Sequence, residues 1–174
     1  MARPRNPEKS IEIEGVIARL FAYRGYEATS MREIARELRM NPSSLYHYFS
    51  SKEEILFKLM NEAMGAALVT LDAICREPLP PRERLKKVLD FYIRYYAGDQ
   101  ERLVLLVNEM NSLTEEHRLL LAEKQRKYVT LIASILEELS GCGELKDLDA
   151  TIAAFAFFGM VHYTIKWYHR DGPV

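Results

Sequence analysis

Apolar residues recur along this chain at three- and four-residue spacing, and no strand-like alternation persists anywhere. Between Glu8 and Arg24 the stripe is Ile13, Val16, Ile17, Leu20 and Phe21, one face of a helix. Pro7 can open that helix because the first helical residue needs no N–H partner, and Gly25 stops it. Ser30 followed by Glu33 fits a capping box, with Ile34, Ala35 and Leu38 on the buried side of a second, short helix. Asn41 and Pro42 end that helix and start the next, one as cap and the other at the first helical position. Leu45, Tyr46 and Phe49 carry the third helix, which Ser50 and Ser51 end. Ser51 with Glu54 makes a second capping box.

The fourth helix, from about Lys52 to Arg76, has Ile55, Leu56, Leu59, Met60, Ala63, Met64, Ala67, Leu68 and Leu71 as its face. The stretch EPLPP at 77–81 breaks the chain. A fifth helix follows to about Ala97, with Leu85, Val88, Leu89, Tyr92 and Tyr96 on one side. A short sixth near 100–111, a seventh from Thr114 to about Leu139 and an eighth over 147–169 complete the pattern, with SGCG at 140–143 between the last two. Every Pro and most Gly fall between or at the ends of these segments, so the predicted fold is all-α: a three-helix helix-turn-helix front over residues 1–52, then a helical bundle over 53–174.

Composition narrows the function classes. Apolar residues make up 48% and charged residues 28%, ordinary for a soluble domain, and no window of 18 uninterrupted apolar residues suggests a membrane span. The opening MARPRNPEKS lacks the apolar run of a signal peptide. Cys75 and Cys142 stand far apart with no CxxC, which argues against zinc and against a disulfide framework and fits a reducing, cytoplasmic setting. His47, His117, His162 and His169 show no ligand spacing for a metal. No metalloprotease, P-loop, dinucleotide or nucleophile-elbow pattern occurs, so neither an enzyme nor a bound cofactor is expected.

Charge is unevenly spread. Through Lys52 there are nine basic and six acidic residues, a net of +3, against fifteen and nineteen in the remainder, a net of −4. The basic excess lies on the helix-turn-helix front, where contact with a polyanion would need it.

Residues 29–52, TSMREIARELRMNPSSLYHYFSSK, concentrate the candidate chemistry. Leu45 and Phe49 at i and i+4 face inward, and Tyr46, His47 and Tyr48 project outward, suited to thymine methyls, sugars and phosphates. Asn41, Ser43 and Ser44 are short hydrogen-bonding residues at the start of the recognition helix, whose first turns face base edges. Thr29, Ser30 and Lys52 lie at neighbouring helix N-termini, which favour anions.

The ordered features Leu20-Phe21, Gly25-Tyr26, Thr29-Ser30, Ile34-Ala35, Leu45-Tyr46, Phe49 and Lys52-Glu53 resemble the N-terminal domain of the TetR family of bacterial transcriptional regulators. The resemblance implies a homodimer on a palindromic double-stranded DNA operator, repression as the default, and a divergent C-terminal effector domain. Arg39 and Ser43 stand where many members have glycine. Arg39 falls in the turn between the second and third helices, where the backbone favours glycine, and its charge adds it to the candidate DNA contacts.

An effector pocket is expected in the bundle, and Met60, Met64, Tyr92, Tyr96, Met110, Phe155, Phe158 and Tyr163 are its candidate lining, since Met and aromatic side chains form broad apolar sites. Arg94, Arg102, Asn108 and His162 are candidates to orient a ligand. The segment FFGMVHYTIKWYHRDGP, through Trp167-Tyr168 and Asp171-Gly172-Pro173, resembles a branch that controls lipid or steroid degradation and responds to acyl-CoA thioesters. A small apolar effector, an acyl-CoA in that branch, is therefore implied. The alternative is an efflux regulator answering hydrophobic or aromatic compounds, with a helical protein–protein adaptor a more distant one. Members usually continue past such a turn into a helix that pairs with the eighth across a dimer interface. With the sequence given to Val174, two expectations stay open: a tail outside it, or a dimer built mainly on the eighth helix, where Ala153, Ala154 and Gly159 permit close approach.

Overall fold

The structure is a computed structural model that describes residues 7–146 and 149–163, excluding the side chains of residues 7–9, 96 and 97. Residues 1–6 and the Trp167–Pro173 segment lie outside the described residues. Among the described residues the regular structure is all helical: α1 (Pro7–Arg24), α2 (Met31–Glu37), α3 (Pro42–Tyr46), α4 (Lys52–Cys75), α5 (Pro81–Gly98), α6 (Gln100–Asn108), a 3-10 turn (Met110–Ser112), α7 (Glu115–Gly141) and α8 (Ala150–Tyr163).

Local chemistry sets most boundaries. Gly25, at φ +90°, ends α1 and donates its N–H to the Phe21 carbonyl at 3.1 Å. Ser30 and Glu33 form the expected capping box: the Ser30 N–H donates to the Glu33 carboxylate at 2.8 Å, and the Glu33 N–H donates to Ser30 Oγ at 3.3 Å. Asn41 Oδ1 accepts from the Ser43 N–H at 3.0 Å and caps α3.

Three local expectations need correction. At the head of α4 the Ser51 hydroxyl accepts from the Glu54 N–H at 3.0 Å, but the Glu54 carboxylate takes the Ser50 N–H at 2.7 Å, so the reciprocal half of the box is shifted by one residue. The regular part of α3 stops at Tyr46, because the chain tightens into i→i+3 bonds from His47 N–H to Ser44 O and from Tyr48 N–H to Leu45 O. The buried face of α5 is rotated from the apolar reading: Leu89 is exposed, while Arg84, Val88 and Tyr92 are buried at i, i+4, i+8. Arg84 explains the rotation. Its guanidinium donates to the Leu79 and Cys75 carbonyls at 3.1 and 3.0 Å and pairs with Glu138, satisfying carbonyls at the α4–α5 turn.

One hydrophobic cluster runs from Ile13 in α1 through Leu45, Phe49 and the inner face of α4 to Leu139 and Phe157. Helix α4 is its axis. It packs on α1, α5, α6 and α7, while α7 carries α8 and α1 rests against α6. At the α1–α4 crossing Lys58 Nζ donates to the buried Glu14 carboxylate at 2.6 Å, and Ser10 donates to the same oxygen at 2.8 Å. Burial pushes the Glu14 carboxyl up, but those hydrogen bonds together with the Lys58 charge and a contact with Glu62 hold the group below its ordinary value.

Candidate DNA-binding face and effector pocket

The turn between α2 and α3 closes as a Schellman motif. Met40 N–H donates to Ala35 O at 2.8 Å and Arg39 N–H to Arg36 O at 3.1 Å. That geometry needs a left-handed residue, and Arg39 supplies it at φ +51°, the one non-glycine at positive φ among the described residues. Its side chain is exposed, and Met40 tucks against the core. Past the turn, Asn41, Ser43, Tyr46 and His47 are exposed in succession, while Leu45 and Phe49 anchor the far side in the core. The Ser43 hydroxyl also donates to Asn41 Oδ1 at 2.8 Å, which orders the short polar groups at the head of α3.

Other predicted contacts are placed differently. Thr29 is a correction: it is 2% exposed, its hydroxyl donates to Gly25 O at 2.8 Å and its N–H to Tyr26 O at 3.1 Å, so it locks the α1–α2 turn and presents nothing to a phosphate. Ser30 is exposed, but its hydroxyl is committed to Glu33. Ser44 and Tyr48 are half-buried, Tyr48 tilted on Phe49 with ring centroids 6.4 Å apart, because the chain turns after Tyr46. Lys52 is half-buried and engaged within the protein. Its Nζ donates to Tyr26 O at 2.9 Å, lies 4.0 Å from the Tyr26 ring centroid and 3.9 Å from Glu27, so it pins the head of α4 to the α1–α2 turn. Tyr26 in turn stacks edge-on against Phe21, and burial pushes its phenol up to about 12.

The same end of α4 is gripped from the bundle. Glu53 accepts the Thr114 N–H at 2.9 Å and sits 2.8 Å from His117 Nδ1, while the His117 ring stacks on Phe57 at 3.7 Å. Burial pushes Glu53 up, but the Thr114 and His117 contacts prevail and lower its pKa.

Behind this face a cavity of about 330 Å³ lies between α4, α5, α6, α7 and α8. Of the predicted lining, Met64, Tyr92, Phe155 and Phe158 are found there. Met60, Met110 and Tyr163 are corrections: none of them is among the lining residues. Met60 is fully buried in the core, Met110 is half-buried beside it and Tyr163 is exposed. The Tyr96 side chain lies outside the described residues. Tyr95, Leu106, Gln125, Tyr128 and Val129 also line the cavity. The α7 members share a face with Leu121 and Ile132, a spacing that would have exposed them in the sequence. Of the four candidate orienting groups, His162 alone reaches the cavity, and burial lowers its pKa and favours the neutral ring. Arg94 and Asn108 are exposed, and Arg102 is turned to Asp99 at 2.8 Å.

Beside the cavity, α8 presents Ile152, Ala156, Met160 and Tyr163 as one exposed stripe, bordered by the exposed cavity residues Phe155 and Gly159. Ala154, expected on this face, is instead fully buried against the bundle. Among the described residues no group of His, Cys, Asp or Glu could hold a metal, and no helix is long and apolar enough to cross a membrane.

A helix-turn-helix with its exposed reading face at the foot of a cavity-bearing bundle defines a regulator that binds DNA. Residues 16–59 match the description "Bacterial regulatory proteins, tetR family", and residues 78–174 match "Tetracyclin repressor-like, C-terminal domain". The chain belongs to the TetR family of transcriptional regulators, and its family and relatives are regulators and not enzymes. It is 27% identical over 165 residues to the fatty acid metabolism regulator protein of Bacillus subtilis, covering 94% of this chain and 85% of that one. It is 27% identical over 169 residues to the transcriptional repressor KstR2 of Mycobacterium tuberculosis, covering 94% and 82%. Among solved structures, AibR in complex with isovaleryl coenzyme A and operator DNA superposes with a TM-score of 0.85 at 33% identity, covering 94% of this chain and 89% of that one.

Proposed function

We propose that this regulator is a cytoplasmic homodimeric repressor whose grip on a palindromic operator is released by an acyl-CoA thioester. The observation that carries the reading is the course of α4. It starts at the foot of α3, at Lys52, and its middle, through Ala63, Met64 and Ala67, forms a wall of the cavity. Residues 1–52 act as the DNA-binding unit and 53–174 as the effector and dimerisation unit, joined through that one helix. Arg39, Asn41, Ser43, Tyr46 and His47 form the DNA contact surface, with Ser30, Ser44 and Tyr48 at its margin. In the dimer two such surfaces enter successive major grooves, roughly 34 Å apart.

At about 330 Å³ the cavity takes the acyl part and leaves the nucleotide end of a coenzyme A outside. That volume has room for a short or branched acyl group. The isovaleryl coenzyme A bound by AibR is a ligand of that kind. The α8 stripe supplies the apolar, isologous surface a two-fold dimer needs. The ring-rich lining of Tyr92, Tyr95, Tyr128, Phe155 and Phe158 favours a second reading, an aromatic effector of an efflux regulator.

The test of the DNA surface is Tyr46→Ala, assayed by anisotropy on a duplex that the protein selects from a random pool. Operator affinity falls at least tenfold with the melting temperature unchanged; unchanged affinity removes Tyr46 from the interface. Titrating that complex with isovaleryl-, octanoyl- and benzoyl-CoA and with a free aromatic such as ethidium separates the two effector readings.

A further inference from the structure

We infer that the hydroxyls of Tyr95 and Tyr128 are the positioning contacts through which the occupied cavity moves α4. The inference rests on the effector reading and names how that site regulates DNA binding. Tyr95 on α5 and Tyr128 on α7 both line the cavity. Each reaches past it to the backbone of α4: Tyr95 Oη donates to Ala63 O at 2.7 Å and Tyr128 Oη to Met64 O at 3.1 Å. The two acceptors are consecutive residues, and both belong to the cavity wall. One turn nearer the DNA-binding unit, Lys124 Nζ donates to Asn61 O at 3.0 Å. Gly65 leaves room for this grip, since a Cβ there would stand 3.3 Å from Lys124 Nζ.

These bonds are additional to the helix. Carbonyls in the middle of α4 already accept from the N–H four residues on, so losing a tyrosine hydroxyl leaves no orphaned acceptor. They are therefore free to form in one arrangement and break in another. A ligand that presses on either ring displaces its hydroxyl, and a shift of about 1 Å takes such a bond outside hydrogen-bonding range. The consequence at the other end of α4 is large enough to matter. Ala63 lies eleven residues from Lys52, about 17 Å along the helix, so a rotation of about 5° carries Lys52 by roughly 1.5 Å. Lys52 and Glu53 are the residues tied to Tyr26, Thr114 and His117, so that displacement is passed to the α1–α2 turn beside the recognition helix.

Tyr→Phe variants keep both rings and remove the hydroxyls. The measured quantity is the ratio of operator Kd with and without probe, read at the plateau of a titration with butyryl-, isovaleryl- and octanoyl-CoA. At the plateau, a changed affinity for the probe does not enter the ratio. Wild type shows a ratio of about fivefold or more with at least one probe. Tyr95→Phe/Tyr128→Phe still binds that probe by calorimetry, and its ratio falls toward one, with each single variant between. A double variant that releases DNA as wild type does overturns the inference and leaves the effector reading standing. So does a double variant that binds no probe, since the hydroxyls are then ligand contacts. If no probe weakens operator binding by wild type, the effector reading fails and takes the inference with it. Should the double variant lose its cooperative melt, the singles decide: a ratio cut at least twofold in each supports the inference, and wild-type ratios in both overturn it.

Discussion

Replacing Arg39 by glycine should stabilise this protein. Arg39 holds φ +51° because the Schellman closure of α2 requires a left-handed residue, and a Cβ in that region costs about 1–2 kcal/mol. Glycine removes that cost but frees the unfolded chain, which returns about 0.4–1 kcal/mol. The net expectation is a gain of about 0.5–1 kcal/mol, or an increase in Tm of about 1–4 °C for a chain of this size. Arg39→Ala is the control, since it removes the same charge and keeps the Cβ. Thermal unfolding by circular dichroism, at one fixed protein concentration so that any contribution of the proposed dimer to Tm is held constant, should place Arg39→Gly above both wild type and Arg39→Ala. The same two variants report on DNA. If the exposed guanidinium meets a phosphate, both lower the slope of log K against log salt by about 0.9 per subunit. A glycine variant no more stable than the alanine variant would falsify the strain argument, whatever happens to DNA binding.

Lys52→Met should weaken operator binding several-fold while leaving the salt slope unchanged, because the ammonium is engaged by Tyr26 and Glu27; a slope lower by about 0.9 per subunit would return it to the phosphate backbone. Raising pH should expose the buried phenol of Tyr26. Its folded pKa of about 12 lies above the ordinary 10, so the folded state holds a proton that the unfolded state loses, and stability declines from pH 10 upward. The slope approaches about 1.4 kcal/mol per pH unit for this group, and Tyr26→Phe should remove that component of alkaline destabilisation; an identical alkaline profile in the variant contradicts it. In the proposed dimer, Met160→Glu, in the middle of the exposed α8 stripe, should shift the sedimenting species toward monomer with α-helical content retained; a dimer unchanged by the substitution places the interface elsewhere.

What was legible in the sequence divides along a physical line. Caps and breaks are local chemistry, and Ser30–Glu33, Asn41–Pro42, Gly25 and the 77–81 break all work within a few residues of themselves. The unusual turn at Arg39 was equally visible, since the motif demands a left-handed residue there and arginine is a costly choice. Contacts between distant segments were not legible. Lys52 reads as a helix N-terminal cation, and its partner, 26 residues away, is revealed only when α4 lies across the α1–α2 turn. Thr29 has the same history at shorter range. Arg84 escaped because a buried arginine is invisible to an apolar periodicity, and with it went the orientation of Leu89. The pocket was half legible for a related reason. Met60 and Met64 are identical side chains one turn apart on α4, yet one is enclosed by core and the other lines a cavity. Composition marks both as adaptable, and the placement of α5, α7 and α8 decides between them.

In the proposed mechanism, occupancy of the bundle cavity and occupancy of DNA oppose one another. The direct measurement follows operator anisotropy and ligand binding together as isovaleryl-CoA is added to the preformed complex. DNA is expected to leave over the same concentration range in which the cavity fills. An operator that stays fully bound while the cavity is saturated contradicts it, because a ligand with equal affinity for the two states shifts neither.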